Sequence, residues 1–445
     1  MIVTSWNNYP KIDTTLKYMH TRSDVIKAIE GLQGSTIARG NGRCYGDGAT
    51  NPNLVLSTLT LDKMVDFNED NGLLIAEAGV TLADIVDTFA PRGWFLPVTP
   101  GTKLITLGGA IGSDVHGKNH HVAGTFGQHI LWMDIITAEK GLMRASLQEN
   151  TDLFHATCGG QGLTGIITQV ALQLVKIPST WIKQYSIKTK NLAEIMEAFE
   201  QYESSPFSVA WIDCIKTGED MGRSILMCGD FASKEELGAA FHGKELSVKR
   251  PLALSIPLDF PSIALNPLSV KAFNMLYYGK APAGTKESFV SYNSFFYPLD
   301  SIDMWNRIYG KRGFLQYQFV LPKEAGKKGL PFILNRIAKS GLGSFLAVLK
   351  LFGKQDNPKG NISFPTEGYT LALDFPISKK LFPLLDELDA IVLDYGGRHY
   401  LTKDARMSSY TFKKGYGKLL DDFLEVKALW DPKTIFTSSQ SQRLF

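Results

Sequence analysis

The sequence is poor in the features that mark secreted, metal-stabilised and membrane-spanning chains. Its 445 residues include 4 cysteines, which form no Cys-x-x-Cys pair and show no spacing with histidine that would complete a zinc site. No run of about eighteen apolar residues occurs, and the N-terminus lacks a signal-peptide pattern. We therefore expect a cytoplasmic protein without a disulfide scaffold, a metal site or a membrane span.

A strong excess of charge is also absent. The formal net charge of +3 is too small to indicate a nucleic-acid partner, so none is expected. Hydrophobic residues make up 44% and charged residues 20%, as in ordinary folded chains rather than disordered ones. The length favours about two to four folding units.

Local patterns predict a chain of mixed α and β structure. Near the N-terminus, a helix capped by Ser23 and ended by Gly34 precedes a strand over Leu73–Glu77 and a helix over residues 82–90. Glycine is dense up to about residue 165 and then becomes sparse. We therefore place a domain boundary near residue 180.

The stretch 249–286 is expected to be irregular. It contains prolines at positions 251, 257, 261, 267 and 282, which disfavour regular elements. It also combines apolar residues with several lysines and an arginine, a composition that suits contact with an anionic membrane surface. The alternative is an irregular cover that packs over the neighbouring domain.

The first chemical signal is the segment Ala38-Arg-Gly-Asn-Gly-Arg-Cys-Tyr-Gly-Asp-Gly48. Its glycines permit tight turns and let backbone N–H groups approach a phosphate closely. The spacing does not match the dinucleotide fingerprint G-x-G-x-x-G, because the third glycine comes one residue late and no helix pattern follows. A Rossmann fold is therefore disfavoured, and an exposed glycine loop without a ligand remains the alternative.

Two further glycine segments follow. Residues 100–121 hold glycines at 108, 109 and 112 in a run too apolar for an ordinary loop, which is typical of backbone wrapped around a ligand. The three histidines of this run are not expected to bind metal. Two of them are adjacent in sequence, and apart from Asp114 the segment has no carboxylates that could complete a ligand set. Residues 158–167 form a glycine turn that leads into a strand.

These three segments together resemble the FAD-binding domain of flavoproteins of the vanillyl-alcohol-oxidase type. Later segments are similar to the decaprenylphosphoryl-β-D-ribose 2′-oxidase family, namely residues 314–319, 349–353, 373–376 and 396–406. The resemblance covers nearly the whole chain and implies an α+β fold of two domains. Residues 1–179 and 398–445 would form the FAD-binding domain, and residues 180–397 an inserted substrate-binding domain with an antiparallel sheet.

The resemblance implies that FAD lies along the glycine segments, where backbone N–H groups hold its diphosphate. We expect noncovalent FAD, because the loop reads Arg43-Cys44-Tyr45 where members with covalent flavin often carry a histidine. The residues expected to contact FAD are Ala38, Arg39, Gly40, Asn41, Gly42, Arg43, Cys44, Tyr45, Gly46, Asp47, Gly48, Gly101, Thr106, Leu107, Gly108, Gly109, Ser113, Asp114, Val115, His116, Ile167 and Tyr400.

Five residues are expected to act in catalysis. By the resemblance, Lys403 lies beside flavin and substrate, where its charge stabilises negative charge that develops as hydride is transferred. Gln316 and Gln318 alternate along a strand-like segment and so share a face, which the resemblance directs at flavin and sugar hydroxyls. His116 and Tyr45 would line the same pocket. The alternatives are a solvated lysine and glutamines on an exposed strand face.

On the substrate side, the resemblance places Lys118 and Lys350 near a phosphate and Trp211 in the pocket wall. Ala372, also expected at the substrate, stands where mycobacterial members carry a cysteine. Covalent inhibition directed at that thiol is therefore not expected. Thr370 stands where those members have asparagine, so the identity of the sugar is not fixed by the resemblance.

The implied function is FAD-dependent oxidation of the 2′-hydroxyl of a polyprenylphosphoryl sugar, such as decaprenylphosphoryl-β-D-ribose, to the keto sugar. A separate nicotinamide-dependent short-chain reductase would complete an epimerisation from ribose to arabinose, a step toward cell-wall arabinan. One alternative is a soluble sugar-alcohol or aldonolactone oxidase that uses oxygen, and another is a flavin-carrying binding protein without turnover. The expected location is cytoplasmic, peripheral at the inner face of the membrane.

Overall fold

A computed structural model describes residues 1–248, 254–261 and 265–445. Its N-terminal part alternates short strands with helices. The strands are β1 Ile2–Val3, β2 Ile12–Asp13, β3 Thr15–Tyr18, β4 Thr36–Arg39, β5 Leu54–Ser57, β6 Met64–Asn68, β7 Leu73–Glu77, β8 Trp94–Phe95, β9 Ile130–Thr137, β10 Gly141–Ser146, β11 Ile166–Gln173 and β12 Val175–Lys176. The helices are α1 Arg22–Glu30, α2 Leu82–Phe89, α3 Leu107–Gly112, α4 His120–Ala123 and α5 Thr151–Thr157.

Two sheets form the frame of this part. Strands β3, β5 and β4 pair in parallel in that order, with α1 connecting β3 to β4. The other sheet is antiparallel, in the order β10-β9-β11-β7-β6. Apolar residues from both sheets share one core with the buried face of α2, on which Leu82, Ile85, Val86 and Phe89 lie.

The remainder of the chain builds a larger sheet and most of the helices. The strands are β13 Trp181–Thr189, β14 Phe207–Ile212, β15 Ser224–Phe231, β16 Leu254–Ser255, β17 Thr285–Ser291, β18 Ile302–Asp303, β19 Phe314–Pro322, β20 Ala347–Phe352, β21 Gly368–Pro376 and β22 Arg398–His399. The helices are α6 Leu192–Gln201, α7 Lys234–Leu237, α8 Pro267–Lys280, α9 Tyr292–Phe296, α10 Lys323–Ser340, α11 Leu381–Asp394, α12 Ser409–Tyr416, α13 Lys418–Trp430 and α14 Ser439–Leu444.

The larger sheet has eight antiparallel strands in the order β17-β13-β15-β14-β20-β21-β19-β22. Because side chains alternate between the faces of a strand, every second residue of β19, β20 and β21 packs against α10 and α11 in an apolar core. The residues between them project from the opposite face. In that register Gln316 lies opposite Asp374, and Gln318 lies opposite Ala372.

The C-terminal segment returns to the N-terminal part. Thr36 forms a parallel bridge with Phe436, and the Ser439 N–H donates to the Thr50 carbonyl at 2.7 Å. Phe423 and Trp430 of α13 belong to the N-terminal core. The predicted division at residues 179/180 and 397/398 stays a prediction; β22, at the start of the last segment, pairs with β19 in the eight-stranded sheet.

Both predicted ends of helix α1 are wrong in detail. The cap of α1 is Thr21 rather than Ser23, since the Thr21 hydroxyl accepts from the Asp24 N–H at 3.1 Å while the Asp24 carboxylate accepts from the Thr21 N–H at 2.8 Å. The helix ends at Gly31 rather than Gly34. By contrast, the strand predicted over Leu73–Glu77 has those bounds.

The expectation that residues 249–286 lack regular structure is wrong for its described part. Helix α8 occupies Pro267–Lys280. Pro267 sits at the first helical position, where the missing N–H has no intrahelical partner, and the Asn266 side chain caps the turn by accepting from the Leu268 N–H at 2.9 Å. Residues 249–253 and 262–264 of the expected membrane-contacting stretch lie outside the described residues.

A transmembrane helix is not found in the described ranges: none of the helices there is both long and apolar enough to cross a bilayer.

Candidate active site

A cavity of about 550 Å³ lies between the N-terminal part and the eight-stranded sheet. One wall consists of backbone and small side chains from the loop after β4 and from the segments around α3. The opposite wall consists of side chains that project from β14, β19, β20 and β21. Residues 400–403 border the cavity beside both walls. A ligand in this cavity therefore contacts loop backbone on one side and strand side chains on the other.

The loop after β4 offers unpaired backbone donors. Within the described part of the chain, the N–H groups of residues 40–44 donate to no protein acceptor. The loop is held from behind, because Asn41 Nδ2 donates to the Leu104 carbonyl at 2.8 Å and the Tyr45 N–H donates to the Thr402 carbonyl at 2.9 Å. A run of fixed, unpaired amides is a preformed cradle for an anion such as a diphosphate.

Two glycines of this cradle are required by the surroundings. A Cβ on Gly40 would lie 2.1 Å from the Thr106 hydroxyl oxygen, which is itself fixed because it caps α3 by accepting from the Gly109 N–H at 3.2 Å. Gly42 has a φ of +60°, a conformation that side chains rarely adopt. The glycines therefore reflect the close approach of the loop to the Thr106 side chain and a left-handed turn within the loop.

Most of the residues predicted to contact FAD line the cavity, and five lie behind its wall. Asp47 pairs with Arg443 at 2.8 Å, and the Asp114 carboxylate accepts from the Gly127 N–H at 2.8 Å, so both hold neighbouring loops together. The other three residues behind the wall are Arg39, whose guanidinium donates to the Thr4 and Ala49 carbonyls, Gly46, which abuts the Asp404 carbonyl, and Leu107, which is in the core.

Three lysines that are distant in sequence meet in the cavity, namely Lys118, Lys350 and Lys403. Burial lowers the pKa of Lys118 to about 7, with a contribution from the neighbouring Lys350 charge. Burial also lowers the pKa of Lys350 to about 8. Such groups gain protons when a negative charge arrives, so this part of the cavity suits an anionic ligand or an anion that forms during a reaction.

Lys403 and Asp374 form an ionisable pair beside the cradle. The Lys403 ammonium lies 3.6 Å from the centroid of the Tyr45 ring. Burial lowers the pKa of Lys403, and the Asp374 charge opposes this shift. Burial likewise raises the pKa of Asp374, whose carboxylate accepts from Gln316 Nε2 at 2.5 Å. Lys403, which lines the cavity, can therefore gain or lose a proton near neutral pH, and the Asp374 charge favours its protonated form.

His116 links the two walls of the cavity. Its Nε2 lies 3.1 Å from Gln318 Nε2, and its Nδ1 lies 3.3 Å from the Lys350 ammonium. Burial and the Lys350 charge hold the pKa of His116 well below its usual value, so the ring is neutral at pH 7. The Tyr400 hydroxyl donates to the Ser113 carbonyl at 2.9 Å and its ring packs beside the imidazole.

The predicted substrate residues lie farther along the same wall. The Lys118 ammonium donates to the Phe295 carbonyl, and Trp211 Nε1 donates to the Phe345 carbonyl at 3.1 Å. Ala372 lies between Gln318 and Val348 in the sheet register and lines the cavity. All nine predicted catalytic and substrate residues thus border one cavity, together with the FAD cradle.

Asp374 is the main functional candidate that sequence reasoning missed. Its carboxylate belongs to the same strand face as Ala372 and Thr370, two and four residues earlier. Alternation along this strand was a signal that could have found it. The partnership with Gln316 depends on the pairing of β19 with β21, which no local pattern specifies.

Comparison with known proteins gives the family. Residues 18–146 match the family model described as FAD binding domain. The chain is 37% identical over 426 residues to the decaprenylphosphoryl-beta-D-ribose oxidase of Mycolicibacterium smegmatis, covering 94% of this chain and 91% of that protein. It belongs to the decaprenylphosphoryl-β-D-ribose oxidase family. It is an FAD-dependent oxidoreductase, as the sequence analysis predicted, and the two-domain α+β flavoprotein fold is confirmed.

Two other relatives extend the comparison. An uncharacterized protein from the mprA 5′ region of Streptomyces coelicolor is 31% identical over 371 residues, covering 82% of this chain and all of that protein. The L-galactono-1,4-lactone dehydrogenase 2 of Oryza sativa subsp. japonica is 25% identical over 182 residues. This match covers 39% of this chain and 30% of the rice protein. The family oxidase therefore matches far more of the chain than the lactone enzyme does.

The residues present in this structure fit FAD. The unpaired amides after β4 suit a diphosphate. Glycines 40, 108 and 109 let these segments pack closely together, because a Cβ on each would lie within 3.1 Å of Thr106 or Ala78. The lysine and glutamine side chains line the same cavity. FAD held there would have loop backbone and these polar side chains as its partners.

Proposed function

We propose that the protein oxidises the 2′-hydroxyl of a polyprenylphosphoryl sugar, such as decaprenylphosphoryl-β-D-ribose, to the keto sugar. The observation that carries the proposal is the convergence of three lysines and two glutamines on one cavity beside the FAD cradle. Amides suit sugar hydroxyls, and the lysines suit the charge of a phosphodiester. The oxidase of M. smegmatis, similar over nearly the whole chain, supports the choice of substrate.

FAD supplies the hydride acceptor for the carbinol carbon. Gln316 and Gln318 orient the sugar by hydrogen bonds from the strand face. Lys403 stabilises the negative charge that develops in the transition state, and its pairing with Asp374 provides an acceptor for the hydroxyl proton. Lys118 and Lys350 hold the phosphodiester. The secondary alcohol thus becomes a ketone by losing the hydride of its carbinol carbon to FAD and the proton of its hydroxyl to this acceptor.

The noncovalent attachment of FAD is part of the proposal. Arg43, Cys44 and Tyr45 line the cavity at the position where a covalently attached histidine would be expected. Acid precipitation of the yellow protein should leave the flavin in the supernatant. Flavin that stays in the pellet would contradict noncovalent binding.

The deciding experiment is anaerobic reduction of the bound flavin. Polyprenylphosphoryl ribose should bleach the flavin absorbance within a turnover time, whereas free sugar alcohols and aldonolactones should not. Bleaching by the free sugars alone would favour the oxidase alternative, for which the similarity to a lactone dehydrogenase is the supporting observation. A flavin that no sugar reduces would indicate a binding protein without turnover.

The product gives the proposed place in a reaction sequence. A 2′-keto sugar needs a hydride donor to return to an alcohol, so a nicotinamide-dependent short-chain reductase is the proposed partner. Reduction on the opposite face completes an epimerisation of ribose to arabinose, as required for an arabinan precursor of the cell wall. Addition of such a reductase and reduced nicotinamide should convert the product to the arabino epimer.

We further propose that α8 contacts the membrane surface. Leu268, Met275 and Leu276 on this helix are 78%, 60% and 69% exposed. Lys271 and Lys280 lie on the same helix, whose sequence contains no acidic residue. Apolar side chains can enter the headgroup region while the lysines meet anionic lipid. The side of the membrane stays a prediction.

Co-sedimentation with vesicles tests this contact. Wild-type protein should sediment with vesicles that contain anionic lipid, and binding should weaken with salt. Lys271→Glu with Lys280→Glu should abolish sedimentation, whereas the matched change Lys413→Glu with Lys414→Glu on exposed α12 should not. Wild-type protein that stays in the supernatant at low salt would end the proposal.

A further inference from the structure

The cavity has two ends of different chemistry. The three lysines, the two glutamines and the His116 ring are at one end, beside the FAD cradle. The other end extends toward α8 and is lined by large apolar and aromatic side chains, among them Trp6, Met304, Trp305, Phe345, Phe273 and Tyr277. The function proposed above assigns no part of the ligand to the apolar end.

A continuous series of aromatic contacts joins the two ends. It starts at Tyr45, under the Lys403 ammonium, and we call it the aromatic wall. Successive ring centroids lie 4.3 to 5.9 Å apart along Tyr45, Phe314, Tyr309, Phe345, Phe273 and Tyr277. Tyr45, Phe345, Phe273 and Tyr277 face the cavity, and the other two join them from behind.

The charged side chains at this end already have partners. The Arg43 guanidinium stacks over the Trp6 ring at 3.9 Å, and the Asp300 carboxylate accepts from the Lys103 N–H at 2.8 Å. These groups need no ligand to satisfy them. At the other end, Lys118 donates to the Phe295 carbonyl and Lys350 lies 3.3 Å from His116 Nδ1. Both partners are neutral and leave the charges of the two lysines uncompensated, and burial lowers the pKa of both. A ligand that fits both ends is therefore anionic at one end and apolar at the other.

Helix α8 connects the aromatic wall to the protein surface. Phe273 and Tyr277, one turn apart, face the cavity, while Leu268 and Leu276 face outward. The helix is held by Asn274, whose Nδ2 donates to the Asp213 carboxylate at 2.8 Å. An apolar chain that follows the aromatic wall therefore arrives at an apolar, exposed helix.

We propose that the aromatic wall binds the isoprenoid chain of the substrate and that this chain leaves the cavity along α8. The inference rests on the proposed function and deepens it by naming the lipid subsite. A branched, unsaturated chain has no hydrogen-bonding groups, so flat aromatic surfaces at van der Waals distance are suitable partners. The phosphodiester joins the sugar to this chain, and the lysines and the rings that suit these two groups border the same cavity.

Chain length is the direct test. Prenyl-, geranyl- and farnesylphosphoryl ribose carry the same sugar and phosphate and stay monomeric in water at assay concentrations. Each added isoprene unit removes more apolar surface from water, so the KM for flavin reduction should fall at least about tenfold from the first to the third compound, with kcat unchanged. Equal KM values across the series would overturn the inference.

A substitution in the aromatic wall tests whether the effect of chain length on KM arises there. Phe273→Gln should remove most of the KM gain of the farnesyl compound and leave the KM of the prenyl compound unchanged. Phe332→Gln is the matched control, because Phe332 is an exposed phenylalanine on α10 away from the cavity. A Phe273→Gln protein that weakens both compounds equally would contradict the proposal. If this variant does not retain FAD, Phe345→Leu serves the same comparison.

Binding without turnover separates this inference from the proposed function. Farnesyl phosphate and prenyl phosphate lack the sugar, and Trp6, Trp211 and Trp305 border the aromatic end, so tryptophan fluorescence can follow both ligands. Tighter binding of farnesyl phosphate in wild type, lost in Phe273→Gln, would support the lipid subsite even if no sugar reduces the flavin. Equal affinities would reject the subsite, while reduction by polyprenylphosphoryl ribose would still support the function.

Discussion

The two walls of the cavity are built by different physical means. The FAD cradle uses unpaired backbone N–H groups and glycines of one short loop, which distant residues such as Leu104 and Thr402 hold in place. The opposite wall uses side chains from four strands, brought together by the register of the sheet. A backbone site binds its ligand wherever the loop geometry is kept, whereas a side-chain site can change its ligand by single substitutions.

The largest expected effect separates chemistry from cofactor binding. Lys403→Ala should leave FAD bound, because the cradle amides do not depend on this side chain, but should slow flavin reduction by on the order of 10²-fold or more. Stopped-flow absorbance of the flavin measures the rate, and the flavin-to-protein ratio measures binding. Lys414→Ala, on the exposed side of α12, is the control. A nearly normal rate in Lys403→Ala would make the lysine a structural residue.

The converse change acts on the backbone wall. Gly40→Ala forces a Cβ to within 2.1 Å of the Thr106 hydroxyl oxygen, so the loop or the cap of α3 must shift. Overpacking of this kind costs ~1–3 kcal/mol, so the Kd for FAD should rise about tenfold to a hundredfold. Gly279→Ala is the matched control, since Gly279 does not line the cavity and nothing lies within 4 Å of its added Cβ. Equal FAD affinity in the two variants would show that the cradle adapts.

A pH dependence should distinguish the side-chain wall. The pKa of Lys118 is about 7 and that of Lys350 about 8, so the ammonium groups that attract a phosphodiester lose their protons as pH rises. We expect KM to rise about tenfold between pH 6.5 and pH 9 while FAD affinity stays flat. The value of kcat also depends on the ionisation of Lys403 and Asp374, so it is followed separately. Lys118→Met should weaken the dependence of KM on pH. A KM that falls as pH rises over this range would contradict the assignment.

The same two lysines set the sign of a stability effect. Their folded pKa values lie below the ordinary value of 10.5, so the unfolded chain binds more protons between about pH 7 and pH 10.5. The free energy of unfolding of the FAD-free protein should therefore rise with pH in that window. Below about pH 7 both lysines are protonated in the folded protein, and burial of their charges then lowers the free energy of unfolding the most. Urea unfolding at pH 6.5 and pH 9 measures the difference.

The segments of the backbone wall could be found in the sequence because their glycines lie close together along the chain. Glycines 40, 42, 108 and 109 belong to segments that border the cavity, while their contact with FAD stays a prediction. The sequence could not separate Asp47 and Asp114 from the ligand contacts, because their partners Arg443 and Gly127 are set by tertiary packing. Both carboxylates stabilise loops instead.

The side-chain wall was predictable only in part. Gln316 and Gln318 share a face by alternation, which a sequence shows directly. The pairing of Gln316 with Asp374 needs the register of β19 against β21, and the meeting of Lys118 with Lys350 needs the whole fold. Helix α8 was missed because prolines outside it outweighed its cap and its single Pro267 at the first helical position.

The smallest expected effect tests how far the side-chain wall sets substrate choice. Thr370 lines the cavity beside Gln318, and its hydroxyl donates to the Phe319 carbonyl at 2.8 Å and lies 3.3 Å from Gln318 Nε2. Thr370→Asn, the residue of mycobacterial members, replaces this hydroxyl with a longer amide that reaches toward the sugar. One neutral hydrogen bond contributes ~0.5–1.5 kcal/mol, so the KM should change by about two- to tenfold with FAD affinity unchanged. Comparing ribosyl with arabinosyl substrates shows whether the change is selective. A variant with the same KM for both sugars as wild type would place Thr370 outside the contacts that recognise the sugar.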